Sequence, residues 1–259
     1  MLCDSHTHLD LFTDAELGEI VQRADDAGVG LIVAVGSTVA SSRRAVELAH
    51  RYDIVYAGVG MHPMDLTGPI TENDERALRE LAGSDERVVC ISETGLDFLD
   101  TSPDREWQEE AFRRHIRLGR ALRKPIDFHA REASDETLEV LRQEGVQEVG
   151  AIWHYFQGDS RRAEEALELG LYISLAKPLL RMPELEEVVR EIPMKRIVLE
   201  TDSYPQPWKK NPARRTEPAH VRMVAEKVAE IKGVTVDAVA EATTANLLRV
   251  MKLARSADG

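Results

Sequence analysis

The sequence is short of cysteine, of basic charge and of long apolar stretches, and each shortage narrows what it can be. Only two cysteines, Cys3 and Cys90, occur in 259 residues, both within apolar runs. Two thiols cannot build the disulfide framework of a small secreted domain, so packed thiols in a reducing, cytoplasmic setting are expected. Lys and Arg number 33 against 46 Asp and Glu, a formal charge of −13. That balance argues against long-range capture of nucleic acid by a basic surface. It leaves room for a nuclease, because bound cations reset the field inside an acidic protein. No apolar run reaches roughly 18 residues, so no membrane span is expected. The first residues lack the basic segment and apolar segment of a secretion signal.

What the sequence has is alternation. Short apolar or β-branched runs occupy 2–6 (LCDSH), 30–36 (GLIVAVG), 54–60 (IVYAGVG), 88–95 (VVCISETG), 125–130 (PIDFHA), 149–155 (VGAIWHY), 171–176 (LYISLA) and 195–203 (KRIVLETDS). They read as strands buried on both faces. Helical patterns fill the gaps, among them 14–28, 105–124 and 160–170, several ending in Gly or a basic residue. Eight strands each followed by a helix predict an α/β fold, a (β/α)8 TIM barrel in one domain. An open six-stranded sheet with a small second domain fits eight evenly spaced strands less well. A Pro- and Lys/Arg-rich loop at 204–218 precedes two extra C-terminal helices, near 219–231 and 235–252. Residues 1–253 read as the barrel and 254–259 as a frayed tail.

In such barrels, reactive groups sit at the C-terminal ends of strands. Those ends carry His6 and His8, His62, Glu93, His129, His154 and Asp202. Five of the eight histidines therefore collect there. His50, His115 and His220 fall in helical patterns and read as surface or packing residues. One histidine beside an apolar strand is usually a satisfied polar residue, but packing gives five no reason to gather with a Glu and an Asp. Convergent imidazoles and carboxylates make a metal site. His6 and His8 sit two apart, so a strand would aim both at one ion. The donors exceed one tetrahedral ion's needs and suit two divalent ions bridged by Glu93. Their chemistry favours Zn, Mn, Co or Fe, with Mg compatible with nuclease activity.

The motifs DSHTHLD, GMHP, ETGLD, FHAREA, HYFQG and ETDS, in this order and spacing, resemble the TatD-type metal-dependent deoxyribonucleases of the amidohydrolase superfamily. The resemblance spans residues 2 to about 252. It implies a metal-dependent hydrolase barrel in which His6, His8 and Asp202 surround one ion, His129 and His154 hold a second, and Glu93 bridges. It implies that His62 faces the substrate's developing oxyanion. Lys124 and Lys177 lie away from the end of strand four, so no carbamylated lysine bridge is expected. Ser92 stands where the family usually has Gly. Tyr155, Gln157, Tyr204 and Thr216 also depart from its pattern, all beside the metal frame.

The expected chemistry is hydrolysis of a phosphodiester by activated water, with Asp202 as proton acceptor and His62 and Arg131 steadying phosphoryl charge. Arg131 follows His129 by two and would share its side of the strand; a surface salt bridge is its other reading. The segment 207–215 (PWKKNPARR) carries four basic residues and Trp208, a pattern that can hold phosphates and stack a base; a solvated charged loop is the bland alternative. The leading substrate is DNA, as ends or single strands. The alternatives are a small phosphoester, a small amide, ester or lactone, and a catalytically silent metal-binding scaffold.

Overall fold

Runs rich in Val, Ile and Leu form strands covered on both faces, as a central parallel sheet requires. The structure is a computed structural model and describes residues 1–210 and 215–254. Its strands are β1 (Leu2–Thr7), β2 (Val29–Val35), β3 (Val55–Val59), β4 (Val88–Asp97), β5 (Ile126–Arg131), β6 (Ala151–Trp153), β7 (Tyr172–Leu175) and β8 (Ile197–Leu199). Each pairs in parallel with the next in chain order. Parallel neighbours need a crossover, and a helix supplies every one: α1 (Asp14–Asp26), α2 (Val39–Arg51), α3 (Glu72–Ser84), α4 (Arg105–Leu122), α5 (Ser134–Gln143), α6 (Ser160–Glu168) and α7 (Pro183–Glu191). Beyond β8 come α8 (Val221–Lys232) and α9 (Val236–Val250). No helix among the described residues is long and apolar enough to cross a membrane.

Helix starts are written locally. Thr38 Oγ1 accepts from Ser41 N–H at 3.1 Å while Ser41 Oγ accepts from Thr38 N–H at 2.8 Å. Thr71 and Asp74 make the same reciprocal cap on α3. Each pair satisfies two N–H groups that a helix leaves free. At the other end, Gly233 stops α8 in the left-handed region, at φ 64°, where glycine carries no Cβ penalty.

The sheet curls until its edges meet, giving the (β/α)8 barrel. Thr7 bridges Ser203 in parallel, His8 N–H donates to Ser203 O at 2.8 Å, and Asp202 N–H donates to His6 O at 3.0 Å. One cluster of buried side chains joins Cys3, Val33, Cys90, Ile152 and Val198 to Leu247, Val250 and Met251. It ties strands from around the barrel to α9 and its C-terminal turn. Asn246 Nδ2 also donates to Met194 O and Ile197 O, both at 2.8 Å. Both thiols are free and buried.

β3 and β7 each fall two residues short of their sequence runs, and two strands fall much shorter. The eighth was expected over 195–203; Lys195 and Arg196 instead form a 3-10 turn, and Asp202 turns left-handed at φ 49°. The sixth, expected over 149–155, is bounded by Gly150 at φ 87° and Tyr155 at φ 51°. The terminal helices begin within two residues of expectation. Residues 211–214 of the basic loop and 255–259 of the expected tail lie outside the described residues.

Candidate metal centre

β1 and the turn after it bring His6 and His8 inward at one end of the barrel, and β4, whose pairing with β5 shifts register between Ile91 and Thr94, brings in Glu93. Glu93 is the hub. Its Oε2 lies 3.5 Å from His6 Nε2 and 3.4 Å from His8 Nε2. Its Oε1 lies 3.3 Å from His62 Nε2, 3.5 Å from His129 Nδ1 and 3.3 Å from His154 Nε2. Asp202 Oδ1 reaches His8 Nε2 at 3.4 Å. Side chains from β1, β3, β4, β5, β6 and β8 or the turns just after them thus meet around one carboxylate.

Ligand-type atoms within 4.8 Å of one another form three groups: His6, His8 and Glu93; His6, His154 and Asp202; His62, Glu93 and His129. They overlap through His6 and Glu93. His154 stacks on His6, ring centroids 3.7 Å apart, so the two lie closer than two separate ligand sets would suggest. Arg131 stays at the rim. Its Nε donates to Asp97 Oδ2 at 2.7 Å and its Nη2 lies 2.6 Å from the same oxygen.

Hydrogen bonds behind the rings sort three of the five imidazoles. A neutral imidazole has one donor and one acceptor nitrogen, so its rear partner assigns its front. His6 Nδ1 stands 2.8 Å from Asp127 Oδ2, and His129 Nε2 stands 2.9 Å from Asp97 Oδ2. Carboxylates accept, so these nitrogens donate, leaving lone pairs on His6 Nε2 and His129 Nδ1 facing Glu93. His154 Nδ1 lies 3.0 Å from Glu200 Oε1, off the hydrogen-bonding direction, as a close charge contact. His62 is the opposite case. Its Nδ1 accepts from Met64 N–H at 3.1 Å, so the proton of the neutral ring is on Nε2, facing the centre.

His6 Nε2 is buried with no hydrogen-bond partner. A buried polar atom of this kind needs an explanation, and a divalent cation supplies it: imidazole nitrogens and carboxylate oxygens are its usual donors. Proton affinities agree. Burial pushes Glu93 up, but the surrounding histidines outweigh it and hold the carboxyl well below its usual range. Burial works against charge on His6, yet Asp127 and Glu93 lift it to about 9. His8 and His154 are raised well above ordinary histidine by Asp202, Glu200 and Glu93, against the opposing effect of burial.

Sequence reading missed the acids behind the ligands. Asp97, Asp127, Glu200 and Asp4 are all buried. Asp4 accepts from Thr201 N–H at 2.9 Å and Thr201 Oγ1 at 2.5 Å, locking β1 to the turn that carries Asp202. Burial raises Asp4 to about 8. Asp4, Asp127 and Glu200 each precede a site residue by two positions, a spacing that among 46 acids does not single them out. His115 is also more than packing, since its Nε2 accepts from Met61 N–H at 3.1 Å.

The centre opens into a cavity of about 1460 Å³. Turns after β6, β7 and β8 line it with Tyr155, Lys177, Arg181, Tyr204, Trp208 and Lys209; the turn after β5 contributes Glu132, and the first turn of α5 contributes Asp135 and Glu136. Tyr204 and Trp208 stand with ring centroids 5.9 Å apart.

Comparison with known proteins agrees with this architecture. The family described as TatD related DNase matches residues 3–252. An uncharacterized metal-dependent hydrolase of Bacillus subtilis, YabD, is 37% identical over 98% of this chain and 100% of its own. A Shigella flexneri protein named 3'-5' ssDNA/RNA exonuclease TatD is 31% identical over 91% of this chain and 93% of its own. The crystal structure of YjjV, a TatD homologue from Escherichia coli K12, superposes with a TM-score of 0.88 at 24% identity, covering 98% of both chains. With the barrel, the convergent ligands and a match along nearly its whole length, the chain belongs to the TatD-related DNase family of metal-dependent hydrolases.

Proposed function

We propose that this protein cleaves phosphodiester bonds in DNA, at ends or in single strands, using two divalent ions at the barrel mouth. One observation carries the reading: the two oxygens of Glu93 face different imidazoles, Oε2 towards His6 and His8, Oε1 towards His129 and His154. A carboxylate so placed can bridge two ions. His6, His8 and Asp202 would hold the first and His129 and His154 the second, with Zn, Mn, Co or Fe favoured by the donors and Mg compatible. Residues 1–253 would act as one barrel, in a reducing setting such as the cytoplasm where Cys3 and Cys90 stay free.

When bound, the ions would acidify a water enough for attack at neutral pH and polarise the bond under attack. The chain's own groups do the rest. Asp202 is placed to take the water's proton and return it to the leaving oxygen. His62 offers Nε2–H to a phosphoryl oxygen, and the Arg131 guanidinium, anchored on Asp97, adds positive charge beside it. Lys177, Arg181 and Lys209 suit backbone phosphates, while the exposed ring of Trp208 suits a stacked base. The name of the Shigella relative, an exonuclease on single strands, points the same way.

The test is reconstitution with each ion followed by a substrate panel. Cleavage of single-stranded DNA and bis-p-nitrophenyl phosphate is expected. Turnover of p-nitrophenyl esters or lactones alone would move the same centre to acyl chemistry on a small molecule. Silence across the whole panel with ions bound would leave a metal-binding scaffold.

A further inference from the structure

Asp127 and Ser92 lie one layer below the metal centre, where barrel interiors are normally filled by apolar side chains. Asp127 is 1% exposed and Ser92 0%. Asp127 comes from β5 and Ser92 from β4, and Ser92 Oγ–H donates to Asp127 Oδ2 at 2.9 Å. The same oxygen stands 2.8 Å from His6 Nδ1. The other oxygen, Oδ1, is buried with no hydrogen-bond partner. A carboxylate in this layer opposes folding unless its lone pairs are met. Its two contacts are a ligand histidine and a hydroxyl, so packing alone does not explain it.

Room for the hydroxyl is built into the neighbouring strand. A Cβ on Gly58 of β3 would fall 2.9 Å from Ser92 Cβ, closer than such atoms approach. Gly58 therefore makes Ser92 possible, at the position where the family pattern has glycine.

We propose that Ser92 and Asp127 are positioning residues that hold His6 as its Nδ1–H tautomer and so keep the Nε2 lone pair aimed at the first ion. A carboxylate has no proton to give, so it must receive from Nδ1. The Ser92 hydroxyl must in turn donate to the carboxylate, which pins Oδ2 on the His6 side. Partners behind a ligand histidine fix its orientation and raise its basicity. This inference rests on His6 being a metal ligand and is independent of which bond the enzyme cuts.

Full-length Ser92→Ala, Ser92→Gly, Asp127→Asn and Asp127→Ala would be compared with the parent chain. Zn²⁺ and Mn²⁺ affinities would be read by competition with a chelator, and the His6 tautomer by long-range ¹H–¹⁵N NMR after metal removal at a pH above the His6 pKa of about 9, where the ring is neutral. Asp127→Ala is expected to weaken one of the two ions about 10–100-fold and to leave His6 a mixture of tautomers. Asp127→Asn keeps an acceptor and should fall between it and the parent. Loss of the hydroxyl alone should weaken that ion about three- to tenfold, and it keeps the proposal testable should the Asp127 variants fail to fold. Parent-like affinity in the Ser92 and Asp127 variants, or weakened affinity with His6 still fully Nδ1–H in Asp127→Ala, would overturn the assignment. A parent chain that takes up no ion would overturn it together with the metal centre itself.

Discussion

At the scale of single residues, Glu93 and Asp202 carry different burdens. Glu93 is ringed by five imidazoles, so Glu93→Gln removes the one negative charge they share. Bound metal and activity are expected to fall together, read by elemental analysis beside an assay. Two fully occupied ions with normal turnover would contradict the bridging role. Asp202→Asn keeps the shape but cannot take a proton. Its kcat should drop about 10²–10⁴-fold with little change in KM, and a change confined to KM would remove Asp202 as the base. The histidines were legible in the sequence because they are scarce, eight in all, and cluster at strand ends. Asp97, Asp127 and Glu200 were not, because three acids among 46 carry no such contrast. The oppositely protonated face of His62 was also hidden, since the Met64 N–H that assigns it is a backbone group.

At the scale of elements, α4 is coupled to the site through His115. Its Nδ1 lies 2.5 Å from Ala111 O within the helix, and its Nε2 accepts from the N–H of Met61, next to His62. Burial lowers its pKa below that of an ordinary histidine, so the native fold holds fewer protons on this ring than the unfolded chain does. The stability it contributes is present above the unfolded pKa of about 6.5 and is lost as pH falls through the lower native value. Denaturant unfolding midpoints are therefore expected to fall below about pH 6.5, and less steeply in His115→Gln. An equal slope in both proteins would place the acid sensitivity elsewhere. Periodicity revealed the helix but not this bond, which depends on how α4 packs. The same limit explains the eighth strand: its apolar run ends at Leu199, and the left-handed turn at Asp202 answers to closure against β1.

At the scale of the whole molecule, a net charge of −13 must coexist with a polyanionic substrate. Attraction is then confined to the mouth, where Lys177, Arg181 and Lys209 line the cavity. With about three phosphate contacts on a single strand, log K is expected to fall against log salt with a slope of about −2. Fluorescence anisotropy of a labelled oligonucleotide on Asp202→Asn would read it. A slope several times steeper would mean that a broad surface, and not the mouth, binds the strand. Alternation of strands and helices was enough to read the barrel from sequence, because that pattern has few other solutions. The substrate wall was less legible, because its residues sit on turns whose sequences carry no period.

The seam between β1 and β8 sets an order in time. His6 and His8 are made before β8, and Asp202 follows His8 by 194 positions. At ribosomal speeds of about 5–20 residues per second, roughly 10–40 s separate them. A chain cut short before β8 carries all five mouth imidazoles but neither Asp202 nor the strand that draws both edges together. Full metal uptake would thus mark a finished molecule, and unfinished ones would stay inert towards the nucleic acid around them.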